Sequence, residues 1–515
     1  MKATERFPRI LTLVLAVIMC LAPLAAAGDA ADAFPLYDAL TTWNVVVPTF
    51  VNAALSGDYP TFKVMEELTN VHLNIDDSTA AIDLYDRQIP LMMMSHELPD
   101  MIVGDPNRMN RFIGEGLFTD LSPYLEEFGQ DFVAAAERDP NIRRNLVNDY
   151  GQYYFFPQLH DTIDAALFMF NKPLCDELGI PVPGTTGEIY DFLVKAKEHN
   201  PDSVGWTKGQ LYANLEHGAF LAYGTWYTWT MFKDGVYTYG PYGKANEMKE
   251  ALTWLNKLYS EGLIDQEFET LDNDGYVAKF TAGRVAMVYG YPSPPIWNQD
   301  ENGVIITPRV TNWEFVPAVQ APNGHKGSIP PPRIAGACLF VTNVMKDPAK
   351  AVAYMNYLYS PAGRELFNFG IEGLTYTKDA DGNYAYTDMI NKHEIGRING
   401  ARLNGIRLNN FPFYSMNESY ALLAWEQTAR AARQALETDM PQYPILLGTE
   451  DEEKELADIM VNVQNYVDEM IPKFIMGRGV NIETDFDKFL KDLEGLGIER
   501  AIEIKLALFE KWSAR

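Results

Sequence analysis

Seventy acidic residues, seven histidines and three cysteines lie among 515 positions, so chemistry must be sought in spacing rather than abundance. Most spacings that would mark a reaction centre are missing. His393-Glu394-Ile395-Gly396-Arg397 lacks the second histidine of a zinc-protease helix. No phosphate-cradling glycine loop, Gly-x-Ser-x-Gly elbow or Cys-x-x-Cys pair occurs. Asp379-Ala380-Asp381-Gly382-Asn383 opens like a calcium loop but lacks its closing glutamate, and reads as a hairpin turn. Paired carboxylates, as a glycosidase needs, are unavoidable among so many acids and carry no signal. What the chain does concentrate is rings in irregular settings. Tyr223–Trp229 reads YGTWYTW, with large rings alternating as on a strand with one wet face. Tyr289–Trp297 reads YGYPSPPIW, where prolines forbid regular helix or central strand. Such rings either pack beneath loops or offer flat faces to a ligand.

The elements that must position these rings are legible in outline. Leu167-Phe168-Met169-Phe170 is an unbroken apolar run, as expected of a strand buried on both faces. A short helix over 174–178 ends at Gly179, Pro181 and Pro183 hold an extended crossing, and Thr185 or Thr186 caps the next helix. Upstream, a strand at 41–47, a helix at 60–70 and a strand at 71–75 give a β-α-β order, hence an α/β sheet with crossover helices. Met248, Ala251, Leu252, Leu255, Leu258 and Tyr259 share one face of a helix over 245–259. The final third is mostly helical, and no internal repeat appears.

The N-terminal residues have a grammar of their own. Lys2, Arg6 and Arg9 precede an apolar run from Ile10 to about Leu24, and Ala25-Ala26-Ala27 follows. This is the pattern of a secretory signal peptide over residues 1–27, too short for a comfortable membrane span. Cys20 raises a lipid anchor, but Met19 stands where lipoprotein processing sites carry a small residue, so ordinary secretion across the cytoplasmic membrane is expected. Cleavage there leaves a net charge near −30, from −28 for the whole chain. Such a field disfavours nucleic acid and anionic membranes. Cys175 and Cys338 are expected as buried free thiols, since a chain of this size needs no staples.

Seven stretches in register resemble the extracellular solute-binding proteins that deliver carbohydrates to bacterial ABC transporters. They are LPDMIV, YYFFPQ, LFMFNKPLCDELGIPVPGTTGEIYDFL, ALTWLNKLYSEGLID, FTAGRVAMVYG, KDPAKAVAYMNYLYSPAGRELFNFGIEG and the segment from Lys473 to Trp512. The last is similar to the large oligosaccharide-binding branch. The resemblance implies an α/β, two-lobed, periplasmic-binding-protein-like class II fold, with the ligand cleft between lobes joined by crossing hinge strands. By comparison with maltose-binding members, lobe one would hold 36–158 and 284–345, and lobe two 159–283 and 346–515. Tyr153–Pro157 and Val285–Gly290 would cross between them. The implied partners are a small-molecule carbohydrate and a membrane permease, with the chain itself expected to be monomeric and to need no cofactor.

A sugar presents apolar C–H faces and a rim of hydroxyls, so its site needs aromatic platforms with carboxylates, amides or arginines around them. Where the resembling family places its cleft, this sequence offers Asp164, ahead of the strand at 167–170, as the leading polar ligand. Asp105, Asn107 and Arg108 lie on the loop after the Asp100 strand, against a bland reading as a solvated turn. Trp43 ends the first strand, and it is a platform or core. Trp297 and Tyr291 follow the second crossing strand and are favoured narrowly over Trp226 and Trp229. Arg333 follows a triple proline and reaches either a hydroxyl or a surface acid. No catalytic residue and no metal ligand is expected. Asn200–Gly205 lacks the repeating aspartates of the calcium loop that alginate-binding relatives carry. Tyr153-Tyr154, a pair that ligates ferric iron in some relatives, reads here as plain strand. The alternatives are a binder of peptide or another solute, and a secreted carbohydrate-active enzyme.

Overall fold

The computed structural model of the chain describes residues 34–48, 55–79, 84–161, 166–208, 215–290, 313–328, 334–394, 396–408, 410–416, 418–419, 422 and 444–515. In chain order the first elements are β1 (Thr41–Val46), α1 (Pro60–Thr69), β2 (Val71–Asp76), β3 (Met101–Gly104), α2 (Pro106–Gly114), α3 (Pro140–Leu146) and β4 (Phe155–His160). There follow β5 (Leu167–Asn171), α4 (Lys172–Glu177), α5 (Thr186–His199), β6 (Gly205–Lys208), α6 (Leu215–Tyr223), β7 (Trp229–Met231), β8 (Tyr237–Tyr239), α7 (Ala245–Ser260), β9 (Val285–Gly290) and β10 (Trp313–Val316). The remainder holds β11 (Ile334–Val341), α8 (Pro348–Tyr357), α9 (Pro361–Phe369), β12 (Tyr376–Lys378), β13 (Tyr384–Tyr386), β14 (Tyr414–Ser415), α10 (Glu450–Met476), α11 (Ile482–Gly495) and α12 (Ile498–Ala514).

Two sheets organise the chain. The first runs β14-β4-β11-β3-β1-β2, and the second β10-β5-β9-β6. In the first, β1 is parallel to β2 and β3, while β11 is antiparallel to both β3 and β4. Proline at the first turn of α1 costs no hydrogen bond, and Asn70 ends that helix in the left-handed region before β2 begins. The apolar faces of α1, α3, α8 and α9 close over this sheet around Phe62, Ile142, Tyr354 and Phe367.

The second sheet is buried on both faces, as the Leu167–Phe170 run requires. Phe168 and Phe170 face a core shared with α5, α6, α7 and α10, while Leu167 and Met169 face Tyr276, Trp313 and Phe315. Thr185 caps α5 in a full capping box, accepting from Glu188 N at 3.1 Å while Glu188 Oε2 accepts from Thr185 N at 3.0 Å.

Four sequence expectations change here. Val285–Gly290 is not a crossing strand. It is a central strand of the second sheet, because six buried residues in a row need neighbours on both edges and both faces. Residues 313–316 join that sheet too, so lobe one does not begin again at 284; it begins again with β11. Nor does all of 346–515 belong to the second lobe, since α8, α9 and β14 pack on the first core. The chain therefore passes between the two cores after β4, after β10 and after β14. Tyr153–Pro157, expected as a crossing strand, contributes to β4 within the first sheet, and the passage starts beyond His160.

Candidate functional site

Topology fixes which edges of the two sheets the chain joins. The C-terminal ends of β1, β2, β3, β4 and β14 share one edge of the first sheet with the N-terminal end of β11. The chain leaves that edge after β4 for β5, and returns to it from β10 into β11. The matching edge of the second sheet therefore holds the start of β5 and the ends of β6, β9 and β10. Strand C-termini at such an edge are where open α/β sheets receive ligands.

On the first edge, Asp105 follows β3 and opens α2. Its carbonyl accepts from Arg108 N at 3.1 Å and Met109 N at 3.0 Å, and its side chain is half-buried. Arg108 is exposed in the first turn of α2, and Asn107 lies in the same turn. At the end of β4, Asp161 accepts from Tyr414 Oη at 2.5 Å and from the Arg138 guanidinium. Burial pushes the Asp161 carboxyl up, with Arg138 opposing. Next to it, neither ring nitrogen of His160 has a hydrogen-bond partner among the described residues. Burial, helped by Arg407 and Arg138, holds His160 down at about 3, so it is neutral.

On the second edge, the first turn of α6 sits directly on the strand ends. A Cβ on Gly218 would lie 2.8 Å from the Tyr289 ring and 3.0 Å from Phe168, so only glycine lets the helix approach this closely. That approach puts His217 into an aromatic cluster. Its ring stacks on Tyr227 with centroids 4.5 Å apart and planes at 10°, and lies 4.8 Å from Trp226. Trp226 and Tyr227 are themselves 4.7 Å apart. Burial lowers the His217 pKa to about 4 and raises that of Tyr227. The cluster is thus a rigid uncharged block with Tyr227 partly exposed. The sequence reading weighed Trp226 but not His217, and only the approach of α6 to β9 brings a helix residue to this loop.

The other expected residues fall elsewhere. Trp43 is 3% exposed and packs edge-on against Tyr354 and Tyr37 in the first core, at 5.5 and 6.2 Å. Its third place in β1 points it inward, away from the strand end. Trp229 stacks on Tyr237 at 5.9 Å and packs between the second core and an apolar cluster with Leu446, Leu508 and Trp512. Tyr289 is fully buried under Gly218. Asp164, Tyr291, Trp297 and Arg333 lie outside the described residues. Cys175 and Cys338 are free and buried, and burial pushes the Cys175 thiol up to about 11. Among the described residues, no three His, Cys, Asp or Glu side chains gather as a metal cage.

Two α/β lobes, each with its own sheet and core, and three chain passages between them define a two-lobed fold of the periplasmic-binding type. The family model for bacterial extracellular solute-binding proteins matches residues 48–365, and the chain belongs to that family. It is 24% identical over 370 residues to the lipoprotein LipO of Bacillus subtilis, covering 68% of this chain and 70% of that one. It is 21% identical over 489 residues to FusA, the fructooligosaccharide ABC transporter substrate-binding protein of Streptococcus pneumoniae serotype 4, covering 87% and 86%. The structure of the alginate-binding protein AlgQ2 without calcium ion superposes with a TM-score of 0.72 at 17% identity, covering 93% of this chain and 99% of that one.

Proposed function

We propose that the chain is the substrate-binding component of an ABC import system. It captures an oligosaccharide between its lobes and delivers it to a membrane permease, without itself acting as an enzyme. The observation that carries this reading is the pair of strand-end lips on the edges that the chain passages join, one polar around Asp105 and Arg108, the other aromatic around His217, Tyr227 and Trp226. A sugar's apolar face and hydroxyl rim need these two kinds of surface. Similarity to FusA, named for fructooligosaccharide, and to AlgQ2, named for alginate, supports a saccharide as the solute. Asp164, Tyr291, Trp297, Arg333 and Asn107 complete the proposed site on the chain segments that join or leave these edges. Trp43 and Trp229 are left out of it, since their rings are taken up in aromatic packing, Trp43 against Tyr354 and Trp229 against Tyr237.

The lobes exchange between open and closed arrangements, and ligand touches both lips only when they are closed. Binding shifts that population, and the permease reads the closed shape. The proposed location is outside the cytoplasmic membrane. Among the described residues no helix is long and apolar enough to cross one.

The test is a panel of kestose, nystose, maltotriose, oligogalacturonate and oligoalginate, followed by thermal unfolding and by product analysis. A binder is stabilised by RT ln(1 + [L]/Kd) while its ligand stays intact. Turnover of any of these sugars would overturn the transport reading. A shift with a peptide library but with no saccharide would overturn the choice of solute.

A further inference from the structure

The two hydrophobic cores are separate, yet the end of α12 touches both lobes. α12 is rooted in the second core through Ile498 and Ala501. Its other end reaches α3, whose Ile142 and Leu146 belong to the first core. Trp512 Nε1 donates to Asn145 Oδ1 at 2.8 Å, and the same oxygen accepts from Ile445 N at 2.9 Å on the third passage between lobes. Arg515 Nε donates to Asp149 Oδ1 at 2.8 Å, and Arg515 NH1 donates to the Val147 carbonyl at 3.0 Å. That carbonyl lies just past the C-terminal end of α3, where helix carbonyls lack partners of their own. Arg143 in turn donates to the Arg515 carbonyl at 3.0 Å, and the Arg144 guanidinium lies 5.6 Å over the Trp512 ring. The Arg515 side chain is only 4% exposed.

Behind this contact stands a ladder of rings in the second lobe. Trp229 stacks on Tyr237, Tyr237 on Phe509 at 5.1 Å and 6°, and Phe509 on Trp512 at 5.4 Å and 24°. Stacked rings bend little, so the ladder holds the Trp512 indole at a fixed place relative to the second lobe. Among the described residues, the contact across to α3 is made of hydrogen bonds, one ion pair and a cation over a ring, with no shared apolar core. Polar contacts of this kind between domains are the reversible ones.

We propose that the Trp512–Arg515 end of α12 is a latch that docks on α3 and fixes the angle between the lobes. Ligand affinity then depends on residues that never meet the ligand. The inference rests on the two-lobed binding reading, but its primary test needs no ligand.

Spin labels at Met94→Cys in the first lobe and Lys491→Cys in the second report the distance between lobes. Both positions are exposed, and the native thiols Cys175 and Cys338 are buried. In the ligand-free protein, Asp149→Asn, Trp512→Phe and their double variant are expected to move the mean distance and widen its distribution. Arg500→Gln, which removes a 2.8 Å bridge to Glu455 within the second lobe, is expected to leave it unchanged. Trp512→Phe keeps a ring in place and Asp149 is half-exposed, so both variants fold. An unchanged distribution in the double variant would overturn the latch. Where kestose binds the parent protein, the double variant is expected to change its Kd about fivefold or more. Failure of kestose to bind touches only the choice of solute and leaves the distance result standing.

Discussion

The His217 imidazole lies flat on the Tyr227 ring, 4.5 Å between centroids and 10° from parallel. A single ring on a loop could swing away. One held between a helix residue and Trp226 cannot, and it presents its free face without an entropic loss on binding. Tyr227→Ala is therefore expected to weaken binding of whichever saccharide the panel identifies by about tenfold, the worth of one aromatic contact. Melting should move by only a few degrees. Calorimetry gives the first quantity and scanning calorimetry the second. Equal losses in both would mean that Tyr227 is packing.

The same histidine makes stability depend on pH. Burial depresses its pKa to about 4 from an ordinary 6.5, so between these values the unfolded chain takes up a proton that the folded chain refuses. Its contribution is full above pH 6.5 and is lost progressively as the pH falls toward 4. At pH 5 the loss from His217 alone is about 2 kcal/mol. His217→Gln should flatten the difference in melting temperature between pH 7 and pH 5. Carboxylates act equally on parent and variant, so the comparison isolates the histidine. An unchanged difference would mean that His217 is protonated in the folded state.

Gly218 links that cluster to the sheet beneath it. Adding a methyl group there places it 2.8 Å from Tyr289, whose ring is fully buried and has no room to retreat. Gly218→Ala should cost about 1–3 kcal/mol and lift the first turn of α6, weakening ligand binding together with stability. Denaturant titration and calorimetry on the same variant check both halves.

How far the sequence reached depended on the range of the interaction. The capping box of Thr185 and Glu188 and the doubly buried run Leu167–Phe170 were legible, because each is decided within a few residues. The lobe assignment of Val285–Gly290 was not. A run of buried apolar residues is the same whether it crosses a hinge or sits between β5 and β6, and only its partners tell the two apart. Trp229 and Trp43 stayed open between platform and core for a related reason. An aromatic ring carries no mark of which face it will bury, and Trp229 meets Tyr237 eight residues on, which in turn meets Phe509 across more than 270 residues of chain. His217 gave no signal at all, since nothing in its neighbourhood on the chain announces the approach of Tyr227.

Asp265 is 2% exposed and is held by charge as well as by hydrogen bonds. Its two oxygens accept from Lys279 Nζ at 2.8 and 2.9 Å, and Thr207 Oγ1 adds a third bond at 2.8 Å. Lys279 also meets Glu267 at 2.7 Å. Removing the lysine leaves a buried carboxylate without its counter-charge, so Lys279→Ala should cost about 3–5 kcal/mol. Lys279→Met with Asp265→Leu should cost much less, because no uncompensated charge remains. Chemical denaturation of the three proteins separates the outcomes, and equal losses would mean that packing dominates.

The loop after α5 raises the question of calcium, since AlgQ2, whose structure superposes on this one, is described by its calcium-free state. In this chain two of the loop's carbonyls are already taken by side-chain cations. Lys197 Nζ donates to the Ser203 carbonyl at 2.9 Å and Arg284 Nε to the Asp202 carbonyl at 2.8 Å. Ser203 Oγ returns a bond to the Arg284 carbonyl at 3.1 Å, tying the loop to the residue just before β9. A calcium loop offers its oxygens, carbonyls included, to the metal. Here two are spent on nitrogen donors that carry the positive charge themselves. The melting temperature should therefore be the same in EGTA and in millimolar calcium. Lys197→Met should lower it, by about 1 kcal/mol of stability for one hydrogen bond, and calcium should not restore it. Stabilisation of the parent protein by calcium would show that the loop opens to the metal and that Lys197 gives way.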